Sequence, residues 1–385
     1  MFWRAAGQTG GVGLVRRWTS TVRNRTLTPL RCPSWTSRFF SISASSRCVP
    51  HEGLRPPLRQ WALEVSPFST VRAKIGCGIS VRPLDPHQFP EADRAFIAVF
   101  GSGTERGVGQ LHVHYNDQSQ ELLITGEEVH SSLSIHLSAP LKSNVVISTL
   151  GKADVQVKKM ECDICEVQTD QGNCFLHSIK SHQVEVRSSG GHVTGAGTIH
   201  GNVNISTRGD GAVDVKKLQG TKMNVSTEHG LLKVKAIYAE SSSISSSSGR
   251  VELGNVHGNA SVKNMTGDTV IDGSNSFLEI SSNSGSIDVY VGEGGSAKLH
   301  TQEGAVCVRV PSSLKAGVQL CGASVDISPE VVMHGVERST TESQVTVTGH
   351  INGEAPQERW VKAQADRGSV KIRTQSWFES LKLGN

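Results

Sequence analysis

"VSTEHGLLKV", residues 225–234, returns nineteen residues later as "ISSSSGRVEL", residues 244–253. Both begin on an apolar anchor, carry Ser or Thr two positions on and Gly five positions on, and end in alternating apolar residues. The same frame opens at Val146, Val167, Val186, Val262, Ile280 and Leu299. Ile205 opens another copy, "ISTRGDGAVDV", in which one inserted residue hands the glycine's place to Gly211. The repeat glycines are therefore Gly151, Gly172, Gly191, Gly211, Gly230, Gly249, Gly267, Gly285 and Gly304, and the anchors are spaced 18 to 21 residues apart. A further copy, "AQADRGSVKI", starts at Ala363 after an interruption.

A period near 19 marks a solenoid, because one such unit cannot bury its apolar side alone. The residues select strand over helix: Val167/Thr169, Val251/Leu253, Ile287/Val289 and Val306/Val308 alternate with polar neighbours. Glycine punctuates the corners, at the repeat glycine and again at Ile199-His200-Gly201, Leu218-Gln219-Gly220 and Val256-His257-Gly258. Positive φ at these corners is the expected reason for glycine. Stacked at about 4.8 Å, nine coils make roughly 43 Å of parallel sheet. The pattern predicts an all-β fold, a single-stranded parallel β-helix (β-solenoid), right-handed by the usual crossover rule.

The run of Φ-x-Ser/Thr-x-x-Gly-x-Φ-x-Φ coils over about residues 137–375 resembles the bacterial adhesin-like β-solenoid family. The resemblance implies the solenoid fold and assigns no activity, since fold does not carry function.

Composition divides the rest of the chain. Residues 1–47 carry Arg4, Arg16, Arg17, Arg23, Arg25, Arg31, Arg38 and Arg47, and the first acidic residue is Glu52. An Arg-rich, Ser/Thr-rich, acid-free start reads as a mitochondrial transit peptide, with "RFFSIS" at 38–43 placing a cut near Phe40 or after Arg47. A disordered basic tail is the alternative. The best apolar stretch, Val12–Trp18, is broken by Gly13, Arg16 and Arg17, so a secretory signal is not expected. Without the eight leader arginines, 31 basic residues face 35 acidic ones and the net charge of +4 becomes −4. Nucleic-acid binding loses its electrostatic basis, and no apolar run approaches the ~18 residues of a membrane span. A matrix address and a soluble mature chain are the expectation.

The expected order is a leader at 1–47, a linker at 48–59, an antiparallel β cap at 60–137, repeats at 138–310, a C-terminal β cap with the last copy at 311–375 and a tail at 376–385. "LSAPLKSNVVI" (137–147) and "VRVPSSLKAGVQL" (308–320) share a strand, Pro, Leu-Lys, strand order, which leaves open one continuous solenoid or two units.

The outward column eight residues past each anchor, where surface chemistry would sit, runs Asp154, Phe175, Thr194, Asp214, Lys233, Glu252, Val270, Asp288, Cys307. Asp214, Lys233 and Glu252 alternate in sign, as a cross-strand charge ladder does. No catalytic constellation is recognised there, and a glycan- or polymer-acting β-helix enzyme remains the alternative. Cys162 and Cys165 have half the spacing of a zinc site, but only Cys174 and His177 are near, so no metal and no cofactor is expected. Eight cysteines, with Cys32 and Cys48 in or beside the leader, do not make a disulfide framework in a reducing compartment. The seven serines between Ser241 and Ser248 lie on the repeat register and read as one coil.

Arg208-Gly209-Asp210 sits at the corner of the coil with an insertion, exposed as an adhesion motif would be; a secreted adhesion module is the third reading. The sequons at Asn204, Asn224, Asn259 and Asn264 would be glycosylated on that route alone. The favoured reading is a non-catalytic scaffold with a protein partner the sequence does not identify, no nucleic acid, and an oligomeric state left open.

Overall fold

Each repeat forms one turn of a parallel coil, and the turns stack anchor upon anchor. In the computed structural model, which describes residues 56–101, 109–126, 132–353 and 359–375, Val167, Val186, Ile205, Val225, Ile244, Val262, Ile280 and Leu299 pair in one parallel register. The described residues belong to one unit, Arg55–Asn385, whose 26 strands make a single sheet. No helix among them is long and apolar enough to cross a membrane. The leader 1–47, the linker up to residue 55, the tail 376–385 and Cys32 and Cys48 lie outside the described residues.

The alternation that selected strands also builds the core. Anchors and the apolar residues of the next leg point inward and are almost wholly buried, each worth about 1.5–3 kcal/mol relative to exposure. The four strands Cys174–Ser188, Val193–Thr207, Val213–Thr227 and Leu232–Ser246 each run from the second leg of one coil into the first leg of the next.

The Ser or Thr two past the anchor also points inward, which a solvent-facing hydroxyl would not. The hydroxyls of Thr169, Thr227 and Ser282 have no hydrogen-bond partner among the described residues, but in other coils this residue closes the corner: Ser188 Oγ donates to Gly191 O at 2.8 Å, Thr207 Oγ1 to Gly211 O at 2.7 Å and Ser246 Oγ to Gly249 O at 3.3 Å. A buried carbonyl freed by the turn thereby gains a partner.

Positive φ does not explain the repeat glycines as a set. Gly151, Gly267 and Gly285 have it, whereas Gly172, Gly191, Gly211, Gly230, Gly249 and Gly304 do not. Space does explain them: a Cβ on Gly172 would stand 1.9 Å from Ala153 O, and one on Gly304 would stand 2.1 Å from Gly285 O. From Gly172 on, each repeat glycine lets the preceding coil's carbonyl come close. The Φ-x-Gly corners obey the same rule, for Gly201 and Gly258 have positive φ, Gly220 does not, and all three lie against a carbonyl of the preceding coil.

The first copy is shifted by one residue from the sequence reading. Ile147, not Val146, pairs with Val167, and Val155 pairs with Cys174. Its corner carries an extra residue, as the Arg208-Gly209-Asp210 corner does. Consequently Ala153 occupies the glycine column, Gly151 lies outside it with open space around it, and Gln156, not Asp154, faces Phe175.

The flanks depart from a simple cap. The strands Thr70–Ile75 and Gly78–Pro83 form a parallel coil against Asn144–Thr149 and Val155–Lys158, although 60 residues of chain intervene between Pro83 and Asn144. Outside that coil lie Glu121–Gly126 and Leu133–Ala139, also parallel. Antiparallel pairing is confined to the outer strands Arg59–Glu64, Arg94–Gly101 and His112–Asn116. The other end mirrors this arrangement: Trp360–Ala365 and Ser369–Thr374, the last copy, stack on Ser296–Glu303 and Val306–Val310, and so come between them and Ala316–Gly322 and Ser324–Ile327. Val345–Ile351 and Met333–Thr340 then add antiparallel strands. The two Pro-containing echoes are the crossovers that step over the interleaved coil, each closed by a turn, Ser143 N to Pro140 O and Leu314 N to Pro311 O.

Candidate functional site

The corner between the second leg of one coil and the first leg of the next is thinned to backbone at Gly201 and Gly220, where a side chain would strike the coil below. A groove with a cavity volume of about 460 Å³ results. Its wall is a ladder: Lys142 Nζ lies 3.2 Å and Lys180 Nζ 3.8 Å from Glu161 Oε2. Beside it, His182 Nδ1 meets Asp163 Oδ1 at 3.0 Å. Phe68, 70% exposed, flanks the opening. At the base, the buried Ser181 hydroxyl is 2.9 Å from Asp163 O and 2.8 Å from Gln183 O.

Cys162 also lines this groove, with Sγ 3.9 Å from Ser181 Oγ; burial pushes its thiol up, against the Ser181 contact. Cys165 and Cys174 are fully interior, and burial drives both thiols up, that of Cys174 to about 12. Thiols held neutral in this way are poor nucleophiles and poor ligands. Among the described residues no group of three His, Cys, Asp or Glu is placed to hold a metal ion.

Along the same corner Lys180, His200, Gln219, Tyr238 and His257 stand one per coil in register. The Tyr238 ring stacks on His257 with centroids 4.5 Å apart and planes at 9°, and Lys217 Nζ lies 4.8 Å from the Tyr238 centroid. Both faces of this ring are taken by neighbours.

The second-leg face holds the charged column. Asp214, Lys233 and Glu252 pair in sequence along it. Lys233 Nζ reaches Glu252 Oε2 at 3.4 Å, and Arg250 Nε reaches Glu252 Oε1 at 2.9 Å; Asp214 has no ion pair among the described residues. Asp154 leaves the column and accepts from Asn173 N at 2.7 Å. Two residues the single-column reading missed lie ten past their anchors, Asp272 and Arg309. Arg309, 1% exposed, donates to Asp288 Oδ1 at 2.6 Å, Gln375 Oε1 at 3.1 Å and Ile271 O at 3.0 Å, with Asp272 Oδ1 at 3.7 Å. Burial raises the Asp272 carboxyl; Arg309 opposes the rise and Asp288 and Glu252 add to it.

Arg208 and Asp210 are exposed at their corner, and Gly209 takes φ +58° while its N–H donates to Glu228 Oε2 at 2.7 Å. Asn204, Asn224 and Asn259 are exposed, but Asn264 is buried, its amide donating to Gly249 O, Gly267 O and Thr269 Oγ1.

These features define a parallel β-solenoid whose end coils are interleaved and closed by antiparallel strands. Residues 196–373 match the family model described as Toastrack DUF4097. Among solved structures, the chain is similar to an adhesin-like protein of Parabacteroides merdae at 13% identity, over 62% of this chain and 94% of that one, with a TM-score of 0.32. It is similar to another from Bacteroides fragilis at 12% identity, over 66% and 100%, with a TM-score of 0.26. A cell-adhesion-type protein of Clostridium sporogenes matches at 12% identity over 82% and 99%, with a TM-score of 0.18.

Proposed function

We propose that the chain is a non-catalytic interaction module of the mitochondrion that receives an extended segment of a protein partner in its corner groove. The observation that carries this reading is the groove itself, which runs across several coils and combines an exposed Phe68 with charges already paired to one another. Paired charges position a partner without offering a free acid or base. The Arg-rich, acid-free leader supports the compartment.

Proximity labelling with the tagged full-length chain, compared with a Phe68→Asp/Lys180→Glu variant, tests both parts. Mitochondrial neighbours that disappear with the variant are expected; an unchanged set would exclude the groove. The protein purified from cells should begin between Phe40 and Cys48, whereas an intact Met1 or a glycan on exposed Asn204 would place it elsewhere.

One observation favours a second reading, a glycan-acting β-helix enzyme. Glu252, Asp272 and Asp288 come from three consecutive coils, and a carboxyl raised by burial beside others is how acid and base roles separate. Asp288 and Asp272 are, however, already engaged by Arg309. Polymer-degrading activity lost in Asp288→Asn would support the enzyme.

A further inference from the structure

One outward column of the second-leg face sets like charges side by side along the solenoid. It runs Arg82, Lys158, His177, Ala196, Lys216, Lys235, one residue per coil. Lys158 pairs with His177 and His177 with Ala196; the registers of Val81 with Val157, Gly195 with Val215 and Val215 with Val234 carry the row to Arg82, Lys216 and Lys235. The strand neighbours Val81, Val157, Leu176, Val215 and Val234 are buried, so the column faces out. Like charges directly opposite are destabilising. Other such neighbours hold a counter-ion: Glu185 beside Glu166 is paired with Arg187, Lys298 beside Lys362 with Glu279, and Arg309 beside Arg373 with Asp288. Lys158, Lys216 and Lys235 have no ion pair among the described residues, and Arg82 Nε meets the neutral Ser138 Oγ at 3.1 Å. His136, on the strand beside Gly78–Pro83, has its pKa lowered by burial and further by Arg82 and Lys158. A local rule broken without compensation in the fold marks a place kept for function.

We propose that this row binds a short acidic segment of a partner protein, laid lengthwise across the coils, with carboxylates on the Arg82/Lys158 and Lys216/Lys235 doublets and an apolar side chain between them. The middle of the row suits an apolar group, because the Phe175 and His177 rings stack there with centroids 6.4 Å apart and Ala196 follows. The length of the row selects the occupant. Five steps of about 4.8 Å span about 24 Å, the reach of about seven extended residues. Beyond Lys235 the same face turns to the carboxylates of Glu252, Asp272 and Asp288. A nucleic-acid strand or an anionic membrane would run on over these acids and be repelled; a short peptide ends before them. None of the four cations lines the corner groove, so the row is a second surface.

Fluorescence anisotropy of a labelled Glu-Glu-Thr-Leu-Thr-Glu-Glu peptide with the full chain tests the proposal, against the same peptide with Gln for Glu. The acidic peptide should bind and the neutral one should not, and binding should weaken with salt. Lys216→Glu/Lys235→Glu and Arg82→Glu/Lys158→Glu should each weaken it roughly tenfold or more, since attractive contacts become repulsive. Asp214, two residues before Lys216 on the same face, opposes the peptide, so Asp214→Asn should tighten binding. Lys158→Gln and Lys235→Gln relieve a like-charge neighbour, so they should weaken binding while the melting temperature holds or rises, which excludes misfolding. No binding, equal binding of the neutral peptide, or binding that survives both double reversals would overturn the row as a docking surface. Tighter binding of oligothymidylate, or of vesicles of phosphatidylcholine and phosphatidylglycerol, lost in the same variants, would overturn the peptide as its occupant.

Discussion

The carbonyl oxygen of Gly230 stands 2.0 Å from the point that a Cβ on Gly249 would occupy. Real Cβ atoms do not come so near, so Gly249→Ala must push two coils apart. Overpacking costs about 1–3 kcal/mol where side chains can give way; backbone cannot, and a loss of more than about 3 kcal/mol is expected. Gly151→Ala is the contrast, with φ +62° and nothing within 4 Å. It should cost only the left-handed strain, about 1–2 kcal/mol. Chemical denaturation of the two variants separates crowding from conformation; equal losses would refute the distinction.

Lys233 should couple to Glu252 and not to Asp214. The ion pair forms on one side of the ladder, between side chains 41% and 31% exposed, so the coupling should be about 0.2–1 kcal/mol and should fade with salt. A double-mutant cycle with Lys233→Ala and Glu252→Ala measures it, and the cycle with Asp214→Ala should give nearly zero.

Arg309 fastens three coils to the last described residue, Gln375. Arg309→Met would leave Asp288 and Asp272, 39% and 29% exposed, without their cation; because water still reaches both carboxylates, the loss should be about 1.5–3 kcal/mol, that of hydrogen bonds to a charged group. Adding Asp288→Asn should recover part of that loss. Arg309→Lys should fall between, since an ammonium cannot spread over acceptors set for a planar fork. Urea unfolding ranks the variants.

Asp272 makes the fold less stable as pH rises. Its folded pKa is raised, chiefly by burial, against about 3.9 when unfolded. Below the unfolded value the group is neutral in both states and its favourable contribution is complete; that contribution is lost as pH climbs through the folded value. Asp272→Asn should therefore raise the melting temperature at neutral pH, and the gain should shrink as the pH falls toward 4. A variant that destabilises equally at both pH values would contradict this sign.

Much of this architecture is legible in the repeat, because the period and the alternation fix both the stacking distance and the inward face. The glycine column is visible as a position, but its cause is not, since the atom that forbids a side chain at Gly249 belongs to a residue nineteen positions earlier. The first copy reads one residue out because Val145, Val146 and Ile147 all look like anchors. Asp272 and Arg309 escape a reading along one column because they lie on the next outward position and meet across coils. The interleaving of 70–83 and 360–374 rests on pairings far apart in sequence, for which the local pattern carries no signal.

That interleaving decides how the solenoid responds to tension. The coil nearest each chain end is clasped on both sides, by strands 121–139 and 144–158 at one end and by 296–310 and 316–327 at the other. A pull on the termini cannot peel off an outermost turn. Once Arg59–Glu64, paired only with Arg94–Gly101, has come away, the pull loads two neighbouring hydrogen-bond ladders at once, and the whole row must shear before the clasped coil is released. The molecule is knotted off at both ends as a whipped rope is, with the cut ends drawn under the binding.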